Sequence, residues 1–162
     1  MNLEFYKKQA LQKQKAHKKF LDGIKKKPPK NLDYVVQETH DEVFETIDCL
    51  QCANCCKTTG PLYTEKDIER IAKHLRMKPA DFEAKYLRVD EDNDKVLQNL
   101  PCFFLNSDNT CSIYDVRPKA CREYPHTDRK KIYQINNLTL KNTLICPAAY
   151  EFVERIMKNL AK

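Results

Sequence analysis

Cys49-Leu50-Gln51-Cys52-Ala53-Asn54-Cys55-Cys56 sets four thiols within eight residues. A two-residue spacer lets successive thiolates curl around one centre, which is why zinc knuckles and cluster-binding loops both use it. A core helix or strand has no need of small sulfur side chains at that density, so ligation is the stronger reading. Four more cysteines follow, at Cys102, Cys111, Cys121 and Cys146, making eight in 162 residues. Each of these alone has a plainer reading as a buried core cysteine; joined to the run at 49–56 they read as ligands. Residues 1–8 show no apolar segment with a small-residue cleavage site, and no later apolar run approaches 18 residues. A cytoplasmic location is therefore expected, where thiols stay reduced and a disulfide framework is disfavoured.

Upstream of the run, Leu32, Val35, Val36, Thr39, Val43, Phe44 and Ile47 recur at helical spacing, so an amphipathic helix from Asn31 is expected to deliver the chain to Cys49. Residues 3–24 carry a looser helical pattern that Pro28-Pro29 stops. Ten lysines against Glu4 and Asp22 give residues 1–30 a net charge of +8 in a chain of net +6, so residues 31–162 sum to −2. The basicity belongs to one arm, which suits an acidic partner or nucleic acid. That arm contains no arginine and few aromatics, however, so a solvated helix face is favoured over base recognition.

Downstream, Thr64-Glu65-Lys66-Asp67 reads as a capping box opening a short helix through Ile68, Ile71, Ala72 and Leu75. Pro79 opens another through Phe82, Tyr86 and Leu87, and the stretch 88–98 that follows is acidic and polar. Cys102–Leu105 and Cys111–Tyr114 flank Asn106-Ser107-Asp108-Asn109 as the strands of a β-hairpin. A last helix from Pro147 is expected to bury Phe152, Val153, Ile156, Met157 and Leu160. The fold class is thus mainly α with one or two short β-hairpins, a small α+β protein with an irregular cysteine-rich metal-binding core. Residues 1–30 form a basic helical N-terminal arm and 31–162 a single cysteine-cluster metal-binding domain.

All eight cysteines, Cys49, Cys52, Cys55, Cys56, Cys102, Cys111, Cys121 and Cys146, are candidate metal ligands. Cys102 and Cys111 are placed to face each other across the expected hairpin. Cys146, before Pro147, is placed at a helix N-terminus, where partial positive charge stabilises a thiolate. Four thiolates around zinc or a cluster core leave a net charge of about −2, and Arg117 and Arg122, flanking Cys121, are expected to offset it around the bound cofactor. An all-sulfur set suits zinc, whereas Cys-x-x-Cys-x-x-Cys with a remote Cys-Pro echoes bacterial ferredoxins and tips the balance slightly to an iron–sulfur cluster. Cys56 fits neither pattern, since adjacent side chains point at one ion only on irregular backbone. Two four-sulfur sites, or one site with spare redox thiols, both remain open.

At these residues the chain resembles the YkgJ-type cysteine-cluster family, a zinc- or iron-chelating CxxCxxCC domain. The resemblance is carried by Cys49-x-x-Cys52-x-x-Cys55-Cys56, Pro101-Cys102-x-x-Leu105, Cys111-x-Ile113-Tyr114-x-x-Arg117-Pro118-x-x-Cys121-Arg122-x-Tyr124-Pro125 and Cys146-Pro147, over about residues 45–150. Asn54 stands where the family usually has glycine, so asparagine is expected to take the left-handed turn there. The resemblance implies metal chelation without an established reaction; a related cluster occurs in flagellin lysine N-methylases.

The leading reading is a metal-binding protein with a structural, redox or metal-handling role; the sequence leans away from an enzyme without deciding the point. The alternatives are an iron–sulfur enzyme related to protein lysine N-methylation and a zinc-stabilised nucleic-acid-binding module using the lysine arm. His17, His40, His74 and His126 are scattered; His126, nearest the motif, reads as an exposed loop residue before it reads as a ligand or acid/base.

Overall fold

A computed structural model describes residues 1–161. In chain order the regular elements are α1 (Leu3–Lys26), α2 (Leu32–Phe44), α3 (Asn54–Thr58), α4 (Glu65–His74), α5 (Pro79–Tyr86), β1 (Leu87–Val89), β2 (Lys95–Leu97), α6 (Lys119–Glu123), α7 (Asn136–Asn142) and α8 (Pro147–Leu160), with 3-10 turns at Cys49–Gln51, Tyr114–Val116 and Ile132–Ile135. The protein is mainly helical with one short two-stranded antiparallel sheet. It divides into two compact units, one formed by Met1–Cys52 with the chain from Pro125 onward, the other by Ala53–Tyr124.

In the first unit, α1 starts where the Asn2 side chain accepts the Phe5 amide, with Glu4 in its first turn and Lys25 and Lys26 in its last, matching the helix dipole at both ends. Its buried stripe is Ala10, His17, Leu21 and Ile24, so the lysine-rich segment contributes directly to this unit's core. Leu32, Val35, Val36 and Val43 of α2 and Ala148, Phe152, Val153 and Ile156 of α8 complete that core. The α2 helix ends at Phe44, three residues short of the expected Ile47. Buried polar links brace the return segment: Asn136 Nδ2 donates to the Leu21 carbonyl at 2.6 Å, and Asn142 Nδ2 to the Pro125 carbonyl at 3.1 Å.

In the second unit, Thr64 and Asp67 form the expected capping box of α4. Tyr63, Ile68, Ile71, Ala72, Phe82, Leu87, Leu97, Phe104 and Ile113 make the core. The 102–114 segment folds back as expected, with the Asn106 amide on the Thr110 carbonyl and the Ser112 amide on the Phe104 carbonyl, both at 2.8 Å, but the two named strands form a second hairpin elsewhere. The strands of that second hairpin pair Leu87 with Leu97 and Val89 with Lys95, and the 102–114 turn carries an antiparallel bridge between Leu105 and Cys111. The acidic residues between these strands form the turn of that hairpin. Asp90 Oδ1 accepts the amides of Asp92 (3.0 Å) and Asp94 (2.9 Å), and Asn93 takes a left-handed φ of 63°.

Candidate metal centre

The Cys-x-x-Cys-x-x-Cys-Cys run is divided by a backbone reversal. Ala53, not Asn54, occupies the left-handed region, at φ 48°, and Asn54 is already the first residue of α3. The family's glycine substitute is therefore one position off the expected one, because α3 needs Asn54 in helical conformation to start its single turn. Ahead of the reversal, Cys49 opens a 3-10 turn capped by Asp48, whose Oδ1 accepts the Leu50 amide at 2.9 Å. The Cys52 amide donates to the Cys49 carbonyl at 3.0 Å. Beyond it, Cys55 and Cys56 lie on α3 in the second unit.

That second unit gathers most of the remaining cysteines. The Cys102 amide donates to the Cys56 carbonyl at 2.8 Å, tying the 102–111 loop to α3. Cys121 enters on α6. Cys55 and Cys56 hold their sulfurs 4.0 Å apart, in a thiol hydrogen bond. That bond draws the Cys56 thiol down to about 7; burial opposes it, and the cations of Lys57 and Arg117 assist. Burial raises the Cys102 and Cys111 thiols and pushes Cys121 up to about 12. Each is raised further by its neighbours' charge: Cys56 and Cys111 act on Cys102, and Cys56, Cys102 and Cys111 all act on Cys121. Opposing them are backbone amides, of Phe104 and Leu105 at Cys102 and of Ile113 at Cys111, and the Arg117 guanidinium at Cys111 and Cys121.

In the first unit, Cys146 is the N-cap of α8 with Pro147 behind it, as the sequence indicated. Burial pushes the thiol up to about 12, outweighing the amides of Ala149 and Ala148, and the charges of Cys49 and Cys52 add to the rise. Cys49 and Cys52 thus lie within electrostatic reach of Cys146.

The structure joins no two of the eight cysteines in a disulfide. Among the described residues no three His, Cys, Asp or Glu side chains are drawn to ligating distance of a common point. The fit to a metal rests instead on donor chemistry. Cys56, Cys102, Cys111 and Cys121 are close enough for each to feel another's charge, and they are met by amide N–H groups and one guanidinium. Such donors support a metal-bound thiolate from outside its first shell. Bringing four thiolates together without a cation is opposed by their mutual repulsion, which a bound divalent ion relieves.

Of the two arginines expected beside the centre, Arg117 is the one that acts on the thiols. Its guanidinium lies 3.7 Å from the centre of the Tyr114 ring, and its buried Nε has no hydrogen-bond partner. Arg122 lies exposed on α6. His126 is half-buried at φ 64°, His40 bonds Thr127 Oγ1 at 2.8 Å, His17 is buried on α1 and His74 is exposed.

A family model, CxxCxxCC, described as a "Putative zinc- or iron-chelating domain", matches residues 48–147. The chain belongs to this family. The matched span takes in every one of the eight cysteines, Arg117 and Arg122. No solved structure matches the chain. Among the described residues no helix is long and apolar enough to cross a membrane.

Sequence reading missed two features of the CxxCxxCC site. Tyr63 is buried, and its phenol is pushed well above its ordinary range, first by burial and then by Cys102, Cys121, Cys111 and Asp67. Asp67, seen only as a capping residue, also accepts the Lys119 amide at 3.1 Å, at the start of the helix that carries Cys121. A buried aromatic just ahead of the capping box was the only sequence signal for the first; nothing local signalled the second.

Proposed function

We propose that the chain is a cysteine-ligated metal-binding protein whose principal centre is held by Cys56, Cys102, Cys111 and Cys121 and carries an iron–sulfur cluster in a structural, redox or metal-handling role in the cytoplasm. Cys49, Cys52 and Cys146 form a second thiol set, and Cys55 supplies a further sulfur beside Cys56. The observation that carries this reading is the gathering in one unit of four half-buried thiols from three separate segments, with the Cys102 amide bonded to the Cys56 carbonyl at 2.8 Å and the Arg117 charge within reach of them. A set like this is costly to ionise alone and stable once a cation takes up the sulfurs.

Bound metal would supply the cationic centre. The chain's own part is to donate amide N–H groups of Phe104, Leu105 and Ile113 to the sulfurs, to set the Arg117 charge beside them, and to exclude water with Tyr63. Zinc is the second reading, because four separate thiols are the number that a tetrahedral structural zinc takes.

The test is elemental and sulfide analysis, with an absorption spectrum, of the full chain purified without oxygen. Iron with matching sulfide and a brown colour is the expected result. Stoichiometric zinc in a colourless sample selects the second reading. A folded, unoxidised protein that carries neither iron nor zinc, and takes up neither when they are offered, overturns both.

A further inference from the structure

Asp67 sits at the third position of α4, and its carboxylate is almost wholly buried, at 2% side-chain exposure. Oδ2 accepts the Thr64 amide at 3.0 Å and the Thr64 hydroxyl at 2.8 Å, closing the capping box. Oδ1 accepts Arg70 Nη2 at 2.7 Å and the Lys119 amide at 3.1 Å. Lys119 is the first residue of α6, whose own N-cap, Pro118, has no side chain able to accept that amide. One carboxylate therefore caps two helices, its own and the one that carries Cys121.

Arg70 extends the same clamp. Nε donates to the Val116 carbonyl at 3.2 Å and Nη2 to the Arg117 carbonyl at 2.9 Å. Residues 116, 117 and 119 are thus all tied to α4 by their backbone, from partners 46 to 52 residues away in sequence. Arg117 leaves this fixed frame with its guanidinium laid over Tyr114 and a buried, unpartnered Nε. A buried ion pair contributes little net stability against an apolar replacement, because desolvation offsets the Coulomb gain. Its directional hydrogen bonds do fix geometry.

We propose that Asp67, acting with Arg70, is the positioning residue of the four-thiol centre: it fixes the 116–119 backbone so that Arg117 and Cys121 stand against Cys56, Cys102 and Cys111. This rests on the metal reading given above. The Arg117 Nε is the donor left over for a sulfur of the loaded centre, and it is in place only while the clamp holds.

Cobalt(II) is the probe, offered to the metal-free full chain under anaerobic conditions. Thiolate-to-cobalt charge-transfer and ligand-field bands report the geometry of the sulfur set, and competition with a chelator gives the affinity. Asp67→Asn, which keeps the shape but removes the charge, is expected to weaken cobalt binding about 10–100-fold and to shift the ligand-field bands. Arg70→Lys keeps the ion pair but removes the fork to the two carbonyls; it is expected to do the same in milder form and decides the matter if Asp67→Asn does not fold. Ile71→Val, which thins the same α4 core, is the control, with thermal unfolding of each metal-free protein alongside. It is expected to bind cobalt as the native chain does. Native cobalt affinity and spectrum in Asp67→Asn and Arg70→Lys overturn the proposal. So does a loss of affinity in Ile71→Val that tracks its loss of thermal stability as in Asp67→Asn, since the clamp is then merely structural. A native chain that takes up no cobalt, zinc or iron removes the metal reading itself, a result distinct from either.

Discussion

Glu154→Leu removes the carboxylate that joins Lys13 and His17 in the first unit. Glu154 Oε1 lies 2.7 Å from Nε2 of His17, a side chain with 0% exposure, and Oε2 pairs with Lys13. Among the described residues His17 Nδ1 has no partner, so there Glu154 alone satisfies the imidazole. Leucine newly orphans the buried Nε2 beside a Nδ1 that is already unbonded, at about 2–3 kcal/mol. The Lys13 pair, 41% exposed on the lysine side, adds about 0.5 kcal/mol after solvent screening. The expected loss is about 3 kcal/mol, or about 6–12 °C in Tm for a chain of this length.

Thermal and urea unfolding followed by far-ultraviolet circular dichroism measures it. A double-mutant cycle with His17→Phe sharpens the point, because replacing both partners by apolar groups removes the orphaned nitrogens, and the double variant should recover at least half the loss. The pH dependence has a definite sign. Burial alone would raise the Glu154 carboxyl, but the bonds from Lys13 and His17 overcome it and hold the group below its ordinary value. Its contribution is therefore complete above the unfolded carboxyl value, about 4.3, and disappears as pH falls through the lower folded one. Native and Glu154→Leu proteins should converge in stability at acid pH. A Glu154→Leu variant within about 0.5 kcal/mol of native at neutral pH, or a double variant no more stable than it, refutes the reasoning.

Two further outcomes follow from the backbone and the first helix. Ala53→Val puts a β-branched residue at φ 48° in a buried position, at about 1–3 kcal/mol of strain, and should reduce metal content along with stability; unchanged metal stoichiometry and Tm would show that the reversal tolerates any side chain. Removing residues 1–30 strips Leu21 and Ile24 from the first unit's core, at about 1.5–3 kcal/mol for each side chain, so residues 31–162 should lose cooperative helical unfolding; a sharp native-like transition would instead support an independent arm.

Most of the helices could be read from sequence because their causes are local. The stripes on α1, α2 and α8, the Thr64 capping box, and Pro147 after Cys146 depend only on spacing and on residues within one turn. The cysteines were legible as donors for the same reason: thiols two residues apart announce ligation chemistry wherever they fold. The 87–97 hairpin was not, because its strands are three residues long and are selected by the burial of Leu87 and Leu97 in the Phe82 core, not by any alternation of their own. Which thiols keep company was also a tertiary matter. Ala53 turns the chain between Cys52 and Cys55, sending the two halves of one motif into different units. The Asp67 clamp joins groups some fifty residues apart, at 3.1 Å from Lys119. Composition and spacing decide what chemistry a side chain offers, but a buried carboxylate chooses its partners by which backbone amides the packed core leaves unpaired beside it.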